Sequence, residues 1–213
     1  MKSGYLLLFI VILGVFVSLA NIMTVYMKVS EFRQVIHGRL TLDGEINLTI
    51  EGFVGITVNR DSIVWGNGSV NVTGGYQNAT LYTQRDDDGV VLQGNWSGAN
   101  AKGLILENIG SVNATIYLMA GKDAHAFFSS SSNSNEEYKW NITNKETGSC
   151  NGGITKNVWI DVNTSSPGTI ICDEFDVVTT RDEIYIDLLI TVPYDAANIG
   201  EQSDTLLITA YPA

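Results

Sequence analysis

Between Tyr5 and Met27 the chain carries no charged side chain and only three polar ones, Ser18, Asn21 and Thr24. Roughly 23 residues at 1.5 Å each make about 35 Å of helix, and a hydrocarbon core is about 30 Å thick. Three readings of this run are open. Lys2, the apolar stretch Leu6–Val17 and Ser18-Leu19-Ala20 form the pattern of a cleaved signal peptide. Apolar character nevertheless resumes at once in Ile22, Met23, Val25, Tyr26 and Met27, which favours an uncleaved single-pass anchor. A pilin-like signal, cut after Gly4, would retain the same helix for packing in a filament.

The apolar stripe outlasts the membrane length. Ile22, Val25 or Tyr26, Val29, Phe32 and Ile36 recur every three to four residues, with Lys28, Glu31, Arg33 and Gln34 on other faces. Gly38 is a natural C-terminal stop. The expected organisation is a transmembrane or extended helix over residues 1–40, followed by one domain over residues 41–213. Lys2 on one side of the run faces Lys28 and Arg33 on the other, so flanking charge does not orient it.

The downstream region indicates the orientation. Residues 41–213 hold eight basic residues against 22 acidic ones, a formal charge of −14. Such a domain repels phosphate backbones, which argues against nucleic acid as a partner. The pattern Asn-x-Ser/Thr occurs at Asn47, Asn67, Asn71, Asn78, Asn95, Asn113, Asn141 and Asn163, where about three matches would arise by chance. Alternating polar positions on a strand could generate some of them, yet asparagine is a poor strand former. These eight are candidate glycosylation sites, which require an extracellular or lumenal domain. The two cysteines, Cys150 and Cys172, are expected to form one disulfide in an exported domain. Its loop would contribute about 3 kcal/mol in the chain-entropy account.

Period-two alternation dominates from Leu42 onward. Strands are expected at Ile46–Ile50, Phe53–Val58, Ile63–Trp65, Ser69–Val72, Ala79–Thr83, Val90–Gln93, Gly103–Glu107 and Ser111–Met119. Others are expected at Tyr138–Ile142, Asn157–Asp161, Glu183–Val192 and Thr205–Thr209, with a hairpin turn at Asp87-Asp88-Gly89. The fold class is therefore mainly β: a single antiparallel β-sandwich, jelly-roll-like, preceded by one long apolar helix. Ser129–Glu137 reads as a polar exposed loop.

Catalytic chemistry finds little to work with. Only His37 and His125 are present, with no nucleophile motif, P-loop or zinc-protease motif near either. Asp86-Asp87-Asp88-Gly89 clusters carboxylates without the spaced frame of a calcium loop, and an Asp-Gly turn accounts for it. No catalytic, cofactor-binding or metal residue is therefore assigned, and the chain is expected not to be an enzyme. Trp65, Trp96, Trp140 and Trp159 are expected in core or sheet-face packing. A carbohydrate-binding sheet lined by tryptophans and carboxylates is the lesser alternative.

Two resemblances bear on function. A short basic start and an apolar helix running into an acidic, sequon-rich β domain with few cysteines resemble small archaeal cell-surface and pilin-type proteins. The segment beginning Tyr5-Leu-Leu-Leu-Phe9 lacks the acidic fifth residue of bacterial type IV pilins. Leu106-Glu-Asn-Ile-Gly-Ser-Val-Asn113 and the terminal Asp204–Ala210 strand are similar to passages in jelly-roll fibre proteins of the TasA and archaeal bundling-pilus type. That resemblance covers about thirty residues and implies polymerisation by β-strand donation, with Leu42–Ile50 as candidate donor. The expected function is a membrane-anchored, non-enzymatic cell-surface structural or adhesive protein. The alternative is an extracellular filament subunit that associates with copies of itself.

Overall fold

The structure is a computed structural model that describes residues 18–19, 22–24, 52–130 and 135–213. The chain divides into two compact units, Met1–Ile50 and Glu51–Ala213. In the first, Ser18, Leu19 and Ile22–Thr24 are helical. The long helix expected over 1–40, the strand at Ile46–Ile50 and the sequon Asn47 otherwise lie outside the described residues. Among the described residues no helix is long and apolar enough to cross a membrane.

The second unit is mainly β, built from two antiparallel sheets. One contains β1 (Ile56–Arg60), β2 (Asn78–Gln84), β3 (Asp87–Leu92), β4 (Leu104–Asn108), β6 (Glu137–Asn144), β8 (Ile160–Asp161) and β10 (Glu183–Pro193). The other runs in the order β11 (Leu206–Pro212), β5 (Ala114–Ala120), β9 (Thr169–Phe175), β7 (Cys150–Asn151). A 3-10 turn at Val72–Gly74 and a one-turn helix, α1 (Ala124–Phe128), complete the described elements.

Alternation builds the core. In β10, Ile184, Ile186 and Leu188 point inward, and in β5 Ala114, Ile116, Leu118 and Ala120 do so from the opposite sheet. Trp140 and Ile142 of β6 and Ile171 and Phe175 of β9 complete one apolar layer shared by both sheets, the arrangement of a β-sandwich. Cys150 and Cys172, on the neighbouring strands β7 and β9, are joined as a buried disulfide with α-carbons 5.7 Å apart.

Strand β10 organises the larger sheet. Along one edge it pairs with β6 from Ile184 to Thr191. On the other edge its first half pairs with β4, at Glu183–Ile186, and its second half with β2, at Leu189–Pro193. The sheet thus forks at Asp187 and Leu188, where neither β4 nor β2 continues the ladder. Side chains supply what the ladder lacks. The Thr83 hydroxyl accepts from the Leu188 N–H at 3.0 Å and donates to Asp187 Oδ1 at 2.8 Å. The same Oδ1 accepts from the Arg85 N–H at 2.7 Å. Thr83 is 1% and Asp187 3% exposed.

A second clasp closes the fork. Arg60, at the end of β1, donates to the carbonyls of Arg85 (3.0 Å) and Gly103 (2.7 Å) and pairs with Asp86 at 2.6 Å. The Gly103 N–H donates to the Arg85 carbonyl at 2.9 Å. A Cβ on Gly103 would stand 2.4 Å from Asp187 Oδ1, so a side chain there would displace the carboxylate.

Several expectations are corrected. The β2–β3 hairpin turns at Arg85-Asp86, with Gln84 opposite Asp87, instead of at Asp87-Asp88-Gly89. Tertiary bonds decide this, because Arg85 is held at φ 54° by its bond to Asp187 while Asp86 is held by Arg60 and Tyr185. Gly89 has another purpose: its N–H bonds Gly98, and a Cβ would strike the Trp65 ring at 2.6 Å. Ile63–Trp65 forms no strand, and Ser69–Val72 contributes only the bridge of Val70 to Gly94. Of Asn157–Asp161 only Ile160–Asp161 pairs. Strands β7 and β9 appear where none was expected, and Lys122–Ala126 runs into α1, which Asp123 caps through the Ala126 N–H at 2.7 Å.

Removing the Asp187 carboxylate leaves the Thr83 hydroxyl and the Arg85 N–H buried without their acceptor. Asp187→Ala should therefore cost about 2–4 kcal/mol of unfolding free energy. Asp187→Asn keeps one oxygen in place and should cost less than half as much. Equilibrium urea denaturation of the two variants measures the difference; equal losses would show that the fork does not depend on that oxygen.

Candidate functional site

The fork opens onto a shallow groove on the outer face of the larger sheet, with a volume of about 290 Å³. Strand register explains which side chains reach it. Asp187 lies opposite Asn141 of β6, and Leu189 opposite both Tyr82 of β2 and Lys139 of β6. All point away from the core, because Ile186 and Leu188 point into it. Trp159, immediately before β8, and Gln84, Arg85 and Asp87, around the hairpin turn, close the remaining sides.

One wall is aromatic. The Tyr82 and Trp159 rings meet edge to face, with centroids 6.4 Å apart at 73°, a favourable geometry for two ring quadrupoles. The remaining lining residues are polar. Arg85 donates to Asn157 Oδ1 at 3.2 Å and so leans over the groove toward the β8 side. The Oδ1 atom of Asn141 is buried and accepts no hydrogen bond. It is one of seven buried side-chain polar atoms in this state among the described residues.

Electrostatics divide the acidic residues around the fork. Burial pushes the Asp187 carboxyl above its ordinary range, with the bonds from Arg85 and Thr83 opposing the rise. Asp86 is held below that range, first by the Tyr185 hydroxyl and then by Arg60. Burial and the neighbouring Asp86 push the Tyr185 hydroxyl up to about 12. The carboxylates of the 86–88 turn have separate surroundings: Asp86 bonds Arg60 and Tyr185, Asp87 borders the groove, and Asp88 accepts from the Asn100 N–H at 3.4 Å. Among the described residues no three acidic, histidine or cysteine side chains gather as a metal site.

His125 lies on α1, its Nδ1 2.8 Å from Glu136 Oε1, while Ser130 donates to the other oxygen of that carboxylate at 2.7 Å. Serine and histidine both bond the acid and do not bond each other, so the nucleophile–base contact of a hydrolase is missing. His37 lies outside the described residues.

The sequons fall into two groups. Asn67, Asn71, Asn95 and Asn113 are exposed, whereas Asn78, Asn141 and Asn163 are half-buried. The Oδ1 atoms of Asn71, Asn95 and Asn163 accept from the backbone N–H groups of Gly74, Ser69 and Ser165, at 3.0, 2.6 and 2.9 Å, leaving their amide nitrogens out of these bonds. Of the tryptophans only Trp140 is fully buried. Trp96 sits between Gly68 and Gly94, Trp65 against Gly89, and Trp159 in the groove. The Glu-Asn-x-Gly passage is a built turn: Asn108 Oδ1 accepts from the Gly110 N–H, and its amide donates to the carbonyls of Val112 and Phe175.

No family model, no curated protein and no solved structure matches this chain. The similarities to pilin-type and TasA-type proteins rest on the residues quoted for them.

A carboxyl raised in the fold weakens folding as pH climbs through its raised value, since the native state still holds a proton that the unfolded chain has released. A lowered carboxyl contributes stability above its unfolded value and loses it as pH falls. Asp187→Asn should therefore flatten a decline in stability that begins as pH rises past the ordinary value of 3.8. Asp86→Asn should flatten the acid-side loss below the same ordinary value. Urea midpoints across the acidic range give both slopes; an unchanged slope in Asp187→Asn would contradict the buried assignment.

Proposed function

We propose that this chain is a non-enzymatic cell-surface protein whose N-terminal helix anchors an extracellular β-sandwich of jelly-roll type for structural or adhesive contacts. The observation that carries the reading is the buried Cys150–Cys172 disulfide within the acidic β unit. Such bonds persist in oxidising compartments, which supports a domain exported beyond the apolar run Tyr5–Met27. Four exposed sequons are compatible with glycosylation there. The order of His125, Glu136 and Ser130 supports a role without catalysis.

A filament subunit is the second reading, favoured by strand β11. It pairs with β5 along one edge, and no described strand covers its other edge. Its inward residues Leu206, Ile208 and Ala210 are only half-buried against the core, and Leu207 and Tyr211 are each 51% exposed. An apolar free edge is a template for an added strand. The sequence Leu42–Ile50 has the alternation to supply one from a second copy.

Protease treatment of intact cells should cleave within Ser129–Glu137 while the N-terminal segment stays with the membrane fraction. Full protection of that loop would refute the outward orientation. N-terminal sequencing of native protein separates the fates of the helix: Met1 indicates an anchor, Tyr5 pilin-type processing and Asn21 release. Recovery of the chain from sheared surface filaments would replace the anchor reading with the filament one.

A further inference from the structure

We infer that Asn67, Asn71 and Asn95 carry N-linked glycans as one cluster beside β3, while the sequons that run in strands, Asn78, Asn113 and Asn141, stay bare. The inference deepens the exported reading above and rests on it, because it names which sequons of such a domain are modified.

An acceptor sequon is read at both ends. The asparagine amide takes the sugar, and the hydroxyl two residues on completes the recognised motif. Both must therefore be reachable. Among the described residues, Asn67 with Ser69, Asn71 with Thr73 and Asn95 with Ser97 are exposed at both ends. Elsewhere one end is withdrawn. Thr143, which completes the Asn141 sequon, is 2% exposed. Asn78 and Thr80 are both half-buried, as is Asn163. Asn113 is exposed, but Thr115 is half-buried and its hydroxyl donates to the Asp173 carbonyl at 2.8 Å.

The same division separates chance from design. In β2, β5 and β6 the alternation of polar and apolar positions is enough to generate Asn-x-Thr. Asn67, Asn71 and Asn95 lie outside the strands, where no such alternation operates. They are nevertheless brought together. Val70 bridges Gly94, the Asn71 N–H donates to the Gln93 carbonyl at 2.8 Å, and the Asn95 N–H donates to the Ser69 carbonyl at 3.2 Å.

Their amides are also presented for the reaction. The Oδ1 atoms of Asn71 and Asn95 accept backbone N–H bonds from Gly74 and Ser69, which fixes each amide plane with its nitrogen at the opposite end. In the transfer, Nδ2 attacks the anomeric carbon of a lipid-phosphate-linked sugar presented by a membrane glycosyltransferase. An N–C bond forms as the C–O bond to phosphate breaks. The lipid phosphate leaves with the electron pair, and one amide proton passes to a base of the transferase. The product keeps Oδ1 as an acceptor, so both backbone bonds survive modification.

The surroundings supply a reason for sugar at this place. Residues 61–77 hold only an isolated bridge and one 3-10 turn, and Val64, Val72, Tyr76 and nearby Leu92 are between 42% and 65% exposed. Glycans are bulky and solubilising, and three of them would cover this irregular apolar segment.

The test is glycopeptide and intact-protein mass spectrometry on the full chain purified from the cells that make it. Sugar on at least two of Asn67, Asn71 and Asn95, with Asn78, Asn113 and Asn141 bare, is the expected result. Sugar on one or none of the three, or on any of the strand sequons, would overturn the assignment. Ser69→Ala, Thr73→Ala and Ser97→Ala keep each asparagine and its backbone bonds, and each should remove the mass of one glycan. An unchanged mass in all three variants would count equally against the cluster. The wild-type map decides the matter even if a variant fails to fold. A chain found inside the cell with bare asparagines would sink the exported reading and the cluster together; a chain shown by protease to lie outside, yet bare, would sink the cluster alone.

Discussion

The larger sheet depends on one buried carboxylate. Strand β10 meets β4 with its first half and β2 with its second, so a gap in the ladder at Asp187 and Leu188 is unavoidable. Unpaired backbone groups in a sheet interior are costly. Thr83 and Asp187 fill the gap with a relay that ends on the Arg85 N–H. Arg60 then ties the diverging strand ends together from outside. A buried aspartate is unfavourable in isolation, and here it is retained because two strand ends and a tight turn are organised around a single oxygen.

The groove is the outer consequence of the same fork. Where two strands separate, the sheet cannot present a continuous surface, and the residues beside the gap become a depression instead of a flat face. Tyr82 and Asn141 reach it because they neighbour β10 in register, and Arg85 because the hairpin turns three residues before the Asp88-Gly89 pair. The device that holds the sheet together therefore also shapes a concave polar surface on its outer face.

Strong alternation made much of the fold legible. Strand β10 was readable because Ile184, Ile186, Leu188 and Ile190 recur at every second position, and β2 and β6 because they alternate too, whereas β4 was readable as the short apolar run Leu104-Ile-Leu106, buried on both faces. Strand β9 was not, since irregular register against β5 on either side of Ile116 breaks the period of two in Ile170–Phe175. Ile63–Trp65 alternates yet pairs with nothing, because alternation reports a surface with two sides and not a partner. Asp187 looked like an ordinary outward polar position in a strand; its burial follows from the fork, which only the pairing of distant segments creates. The groove was invisible for the same reason, being assembled from residues 82 to 187. The disulfide was legible from the cysteine count together with the expectation of an exported domain.

The pairing of β10 with three strands also sets the order in which the domain can come into being. The hairpin of β2 and β3 is local, but β6, β4 and β2 find their common neighbour only when residues 183–193 have been made. Until then each exposes a free edge and half of an apolar layer. A chain emerging from its N-terminal side would present these strands as separate segments with free edges, and residues 183–193 would join them into one sheet. Long-range closure of this kind is slow. The acidic charge spread along the waiting segments is then protective, keeping chains apart during the interval before β10 arrives.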